Sequence, residues 1–368
     1  MALPTLVYVG TYTGPKSKGI YLFRLQTENL DVPQNVTLVP MGLAAETPSP
    51  SFLEIDFRRR LLFAVNELNQ FEGQPTGGVS AFKIDPATGM LTLINQRPSM
   101  GSGPCHLVLD KPRRHLIVAN YGSGSVSVFP VAADGTLGAA SDVVQHTGSS
   151  VNPERQKGPH AHCVTIDAAN RFVFVCDLGL DKVLVYRFDP QRGKLTPHDP
   201  PFAAIKPGAG PRHMILRPDN RFAYVTNELN STITALRYDA TAGVLREIQT
   251  VSTLPEHFEG ANTTAEIDVH PSGKFLYVSN RGHNSIALFN VDRDKGTLTW
   301  VEEQMTGGST PRHFGIEPSA RHLAIGNQNS DTILVARIDA GNGRLKPSGV
   351  FASAPSPVCM KFLPGQRS

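Results

Sequence analysis

The sequence predicts an all-β fold, a seven-bladed β-propeller of four-stranded antiparallel blades, and three observations carry that expectation. Seven short β-like runs, VYVGTYT, LLFAVNEL, LIVANYG, VFVCDLG, AYVTNEL, LYVSNRG and LAIGNQN, pivot on Thr11, Asn66, Asn120, Asp177, Asn227, Asn280 and Asn327. Upstream of six of them stands a second marker: Phe52, His106, His162, His213, Glu266 and His313, with Cys359 at the far end. Five of those six intervals are 14 residues, and the one from His162 to Asp177 is 15. A unit of about 50 residues with several short strands is the signature of a propeller blade. Equivalent positions in a closed ring face one axis, so the His/Glu series is expected to converge.

Each blade reads as strands A to D. In the blade beginning at His213, HMILRP alternates and stops at Pro218, DNR turns, and FAYVTN is the next strand. STITALRYD follows, DATAGVL turns, and REIQTVS closes the unit. SVSVFPVAADGTL, KVLVYRFDPQRGKL, SIALFNVDRDKGTL and TILVARIDAGNGRL repeat the middle of that grammar. Runs of Val, Ile, Tyr and Phe between Gly, Asp and Asn turns are antiparallel strands. The chain opens on a B strand, LVYVGTY, and closes on an unpartnered A strand, VCMKFLP. The C-terminal strand is therefore expected to complete the N-terminal blade, which removes the open edge. Residues 1–368 are read as a single domain. Strand A begins and strand B ends on one face, so D-to-A and B-to-C loops share it. The long D-to-A stretches at 145–159 and 254–264 are expected to lie over a pocket there.

Composition narrows the function. Gly 33 and Pro 29 suit many tight turns, and a net charge of +3 is a weak basic lean. The densest basic runs, Arg58-Arg59-Arg60 and Arg113-Arg114, fall in A-to-B turns and read as solvated surface, so no nucleic-acid partner is expected. Four cysteines show neither a C-x-x-C pair nor a disulfide-scaffold spacing. No apolar stretch approaches the ~18 residues of a membrane span, so a cytoplasmic protein without a membrane partner is expected.

Two sets of residues face the predicted axis. The strand-A set is Phe52, His106, His162, His213, Glu266, His313 and Cys359, with Arg212 and Arg312 preceding two histidines. The strand-B set, one past each pivot, is Tyr12, Glu67, Tyr121, Leu178, Glu228, Arg281 and Gln328. A single buried histidine is ordinarily a satisfied core residue; so many titratable groups at one place point to chemistry. The 15-residue interval leaves two registers open. Either GPHAHCV bulges by one residue, or Cys163 enters the ring and His162 takes the slot held by Arg212. In both cases His160 and His162 are expected near the axis, as alternate residues of one strand.

YVGTYT, GPHAH followed by DLGLDKV, GPRHM with YVTNEL, SNRGHNSI, and TPRHF with GNQNSD resemble the seven-bladed β-propeller lactonases along nearly the whole chain. The resemblance implies hydrolysis of a sugar lactone, with 6-phosphogluconolactone the leading substrate; carboxymuconate-type lactonizing cycloisomerisation is the alternative. It implies catalytic roles for His162 (or His160), Arg212, Glu228 and Arg281, and requires no metal or other cofactor. His106, His160, His213, Glu266, His313, Arg312, Gln328, Glu67 and Tyr12 are expected to contact substrate. Lactone opening needs a base for water, here Glu228 or His162, and a donor for the oxyanion. A charged lactone also needs an anion clamp, which the planar guanidinium fork supplies better than an ammonium; Arg212 and Arg281 are the expected clamp, with Arg312 a further candidate. No G-x-S-x-G, H-E-x-x-H or phosphate-cradling glycine loop is present, and Cys105 and Cys163 read as packing. A His-ligated metal centre is disfavoured by Arg212 and Arg312 beside two of the histidines. A protein-binding scaffold is disfavoured by the scarcity of exposed aromatics, with Trp300 alone on an outer strand. A monomer or weak homodimer is expected.

Overall fold

The computed structural model describes residues 5–27 and 36–365. Its 28 strands form seven sheets of four, each antiparallel, and the one helical element among the described residues is a 3-10 turn at Gln328–Ser330. The closing blade pairs Pro357–Leu363 with Thr5–Thr11, followed by Gly19–Thr27 and Val36–Glu46. Its register runs from Leu6 opposite Leu363 to Thr11 opposite Pro357, so the C-terminal strand ties the ring shut as expected.

The B strands carry the core. Leu61–Asn66, His115–Asn120, Phe172–Asp177, Phe222–Asn227 and His322–Asn327 are buried at every residue. Continuous burial follows from packing between neighbouring blades on both faces. D strands such as Val244–Ser252 are mostly half-buried or exposed, with Leu245 the one buried residue there, because they form the outer edge of the blade. The basic A-to-B turns are paired at the surface: Arg59 Nε lies 2.5 Å and Arg113 2.8 Å from the Asp56 carboxylate.

The pivots are structural. Asn66 donates to Thr47 Oγ1 and the Pro48 carbonyl, Asn120 to the Ser99 carbonyl, and Asn280 to the Thr253 carbonyl. Each bond ties the end of a B strand to the preceding D-to-A loop, which fixes the next residue toward the axis. Asp177 does the same with a charge. It lies 2.6 Å from His146 Nδ1 of the long loop at 145–159 and accepts at 2.7 Å from the N–H of His160, just past the end of that loop.

In several A strands two consecutive residues, such as Cys105 with His106 and Arg312 with His313, line the axial cavities, where regular alternation would allow one. The cause is a bulge repeated in blade after blade. Register shifts fall between Pro104 and His106, Ala161 and Cys163, Pro211 and Met214, Thr264 and Ile267, and Pro311 and His313. A bulge places two residues opposite one and turns both inward. It also settles the register. Cys163 pairs opposite Cys176 as His106 does opposite Ala119 and His313 opposite Gly326. Cys163 is thus the ring member, 14 residues before Asp177 like its counterparts, and His162 stands in the slot of Arg212, Cys105 and Arg312.

Candidate active site

Two large cavities lie on the axis, one on each side of the ring. The upper one, about 440 Å³, lies on the face of the D-to-A and B-to-C loops and is lined by Tyr12, Glu67, Cys105, Tyr121, Arg155, His162, Glu228, Thr263, Arg281 and Arg312. That volume suits a small-molecule site. The lower one, about 450 Å³, is walled by A-strand backbone with Glu54, Asp268 and Lys361. Burial, then the Glu266 charge, pushes the Asp268 carboxyl up to about 7. His106, Cys163, His213, Glu266 and His313 line this lower side. The ring residues expected to contact substrate therefore sit one layer beneath the upper cavity. Gln328 is not among the upper lining residues, because the chain turns into the 3-10 helix there.

Glu228 anchors the upper cavity. Its Oε1 accepts from Arg155 at 2.8 Å, and its Oε2 lies 2.9 Å from an Arg281 terminal nitrogen and 3.1 Å from Arg212 Nε. Burial alone would raise its pKa, but Arg281 and Arg212 overcome that and hold the carboxyl far below the usual range. The arginines are themselves fixed from behind: Arg212 donates to the Ala265 carbonyl and Arg281 to that of Thr264, each at 2.9 Å. Burial brings Arg281 down to about 10, so it stays charged at neutral pH.

Arg312 differs from these three. Its guanidinium lies 5.3 Å from the Tyr12 ring centroid and makes no hydrogen bond or ion pair with any described residue. Tyr12 instead donates to Glu67 at 3.0 Å. A guanidinium that faces a cavity with no carboxylate in hydrogen-bond contact, although Tyr12, Glu67 and Glu228 stabilise its charge from a distance, has its N–H groups available to an anionic ligand.

His162 lies at the floor. Its Nδ1 is 3.8 Å from Cys105 Sγ, while that thiol donates to the His162 carbonyl at 3.3 Å. The tautomer with its proton on Nδ1, toward the sulfur, leaves a lone pair on Nε2. Burial, followed by the Arg212 charge, depresses its pKa well below 6.5, so it is neutral at pH 7. Burial pushes the Cys105 thiol well up and Cys163 up to about 11, which fits packing rather than nucleophilic roles.

His160 is not in the cavity. It precedes strand Ala161–Ile166, stacks on Tyr121 at 4.5 Å, and its Nδ1 lies 3.0 Å from the Tyr121 carbonyl. The expectation that it shares a face with His162 fails because the bulge breaks the two-residue alternation.

Arg155 is the functional candidate that sequence reasoning missed. It comes from the loop at 145–159, where Gln156 is fully buried and donates to the Leu178 carbonyl at 2.8 Å. Ser150 donates to Asp181 at 2.5 Å, and a Cβ on Gly179 would stand 1.9 Å from the Gly158 carbonyl oxygen. The loop is thus clamped on the DLG run and lays Arg155 over the cavity, also 3.2 Å from the Tyr121 hydroxyl. The available signal was position: Arg155 and Lys157 are the only cations in that stretch.

The ring histidines pack against one another, with His106 and His213 centroids 5.1 Å apart, and their nitrogens meet backbone N–H groups, thiols and Glu266. His106 Nδ1 accepts from Val164 N–H, and its Nε2 faces Cys163 Sγ at 3.6 Å. His313 Nδ1 accepts from Met360 N–H, and its Nε2 faces Cys359 Sγ at 3.8 Å. No group of three or more His, Cys, Asp or Glu among the described residues is arranged to hold a metal ion. All four inner histidines, 106, 162, 213 and 313, have pKa values driven below the free value, first by burial; His313 falls to about 4. The unfolded chain therefore binds more protons from about pH 6.5 downward, so this stability is present above 6.5 and lost as pH falls toward 4. A falling Tm between pH 7 and 4.5 is expected, with a shallower slope in His106→Asn. An unchanged slope in that variant would place the acid sensitivity elsewhere.

Fold and site together define a class. The chain belongs to the seven-bladed β-propeller lactonase family, whose model matches residues 6–362. It is 38% identical to the 6-phosphogluconolactonase of Bacillus subtilis, over 97% of both chains. Among solved structures it matches a putative 6-phosphogluconolactonase from Bacteroides fragilis with a TM-score of 0.89 at 36% identity, covering 98% of each chain. It matches the Pseudomonas aeruginosa periplasmic gluconolactonase with the same TM-score at 34% identity, covering 99% of this chain and 100% of that one.

Proposed function

We propose that the protein hydrolyses a phosphorylated sugar lactone, 6-phosphogluconolactone to 6-phosphogluconate, in the upper cavity. The observation that carries this reading is Arg312, a cation facing the cavity with no carboxylate in hydrogen-bond contact, beside a neutral His162. The name of the Bacillus subtilis relative supports the same substrate.

In this reading His162 Nε2 takes a proton from the attacking water. Arg281, held in place by Glu228, donates to the oxygen that gains charge as the carbonyl becomes tetrahedral, while Arg212, which lies outside the upper lining, braces Glu228 from beneath. His162 then returns the proton to the ring oxygen as the C1–O bond breaks. Arg312 and Arg155 bind the phosphate. Glu228, with both oxygens engaged and its basicity suppressed, positions arginines and is not the base. No step requires a metal or other cofactor. A neutral gluconolactone is the second reading, favoured by the name of the periplasmic neighbour. The four cysteines, all buried and free, fit a reducing cytoplasm, and no helix among the described residues is long and apolar enough to cross a membrane.

Arg312→Met and Arg155→Met test the clamp. Each is expected to raise KM for the phosphorylated lactone by ~10-fold or more, as losing a charge-assisted bond of ~1.5–3 kcal/mol implies, with little change for δ-gluconolactone. Equal effects on both lactones would move these arginines from phosphate binding to oxyanion stabilisation.

A further inference from the structure

Between the two large cavities lies a third, about 10 Å³, lined by residues that include Ser51, Glu67, Cys105, Arg212, His213 and Glu266. Its size is about that of one water molecule. Several unsatisfied polar atoms surround it. Ser51 Oγ, His213 Nε2 and Glu266 Oε2 are buried and have no hydrogen-bond partner, and their residues are 5%, 4% and 8% exposed; Arg212 Nε in the same wall also lacks one but lies 3.1 Å from Glu228 Oε2. Glu266 Oε2 is 3.2 Å from His313 Nε2 but out of hydrogen-bond alignment. Buried polar atoms are ordinarily satisfied, so three at one small cavity indicate a shared ligand.

The donor and acceptor pattern identifies that ligand. His213 Nδ1 lies 3.1 Å from Glu266 Oε1, and a carboxylate only accepts, so the ring proton is on Nδ1 and Nε2 is an acceptor. Glu266 Oε2 is a second acceptor. The Ser51 hydroxyl can donate. A water molecule supplies two donors and accepts from the third group, and Arg212 in the wall disfavours a cation.

The chemistry of lactone hydrolysis gives such a water work to do. Attack forms a C–O bond from water to C1 and breaks the bond from C1 to the ring oxygen. One water proton ends on the ring oxygen by way of His162. The second leaves when the new carboxylic acid ionises. The small cavity shares Glu67, Cys105 and Arg312 with the upper cavity, and His213 and Glu266 with the lower one.

We propose that this axial cavity binds one water, and that the water carries the second proton from the product acid to His213 Nε2, whose imidazolium Glu266 then stabilises. His213 also lines the lower cavity, through which the proton returns to solvent. His213 carries the proton only transiently, since burial and the Arg212 charge disfavour its imidazolium, and Glu266, 3.1 Å from its Nδ1, positions the ring and offsets part of that cost. The relay rests on the lactonase reading above; the water site does not.

Ser51→Val tests both parts. The hydroxyl it removes has no protein partner, and the added methyls fill the cavity. A high-resolution crystal structure of the wild type is expected to show one water within hydrogen-bond distance of His213 Nε2 and Ser51 Oγ, absent in the variant. Its kcat on the best lactone is expected to fall on the order of tenfold, with KM unchanged and a larger solvent deuterium isotope effect. If valine strains the ring, Ser51→Ala removes the hydroxyl without bulk and should give a smaller loss of the same kind. No water in the wild type overturns the site. A water present in the wild type and displaced without loss of kcat overturns the relay. A wild type inactive on every lactone sinks the lactonase reading and the relay with it, while the density on the axis still decides the water site.

Discussion

His162→Asn is expected to lower kcat by about 10²–10⁴, the usual worth of a positioned general base, with KM little changed. Its imidazole is the one basic group in the upper cavity that is both neutral at pH 7 and free at one nitrogen. The groups that set its pKa are, after burial, Arg212 and His213 on the lowering side and Glu228 on the raising side. Because the lowering side wins, the wild-type rate should stay level from pH 8 to below 6.5 and fall only when His162 protonates. In the variant that acidic limb should disappear. A limb that persists unchanged in His162→Asn would assign the base to another group.

Glu228→Gln is expected to cost stability as well as rate. The carboxylate meets three guanidinium groups, two of them from the almost fully buried Arg212 and the largely buried Arg281. Removing one partner of a buried charge cluster costs on the order of 3–5 kcal/mol. A fall in Tm of several degrees should accompany a loss of kcat/KM of ~10² or more, as the arginines lose their fixed positions. The linkage sign is that of a depressed carboxyl: the stabilisation is present above its ordinary pKa and lost only in strong acid. A variant with wild-type Tm and a changed pH profile alone would restore Glu228 as a base.

Much of this site was legible before any coordinates. The 14-residue interval between marker and pivot set the blade count, and the unpartnered strands at the two ends set the closure. Glu228, Arg281, Arg312, Tyr12, Glu67 and His162 do line one cavity, because a propeller converts sequence equivalence into convergence on an axis. What the pattern left open was local. The odd interval at His162 resolves once Cys163 is read as the ring residue, yet cysteine among histidines gave no chemical reason to choose it. The bulge that lets adjacent residues both face the axis has no residue signature. Placement of His160 failed for that reason. Arg155 lay outside the repeat altogether, since a loop has no periodicity to align, and its position depends on the Asp177–His146 contact and on Gln156 packing.

The most direct test of the account is the ratio of kcat/KM for 6-phosphogluconolactone to that for δ-gluconolactone. It is measured on purified, chelator-treated protein by acid release above the spontaneous rate. With Arg312 and Arg155 binding the phosphate, the phosphorylated lactone should be favoured by about 10² or more, the worth of two charge-assisted contacts at ~1.5–3 kcal/mol each, and activity should survive chelation. A ratio near one, a preference for the neutral lactone, or activity that depends on an added divalent ion would contradict it.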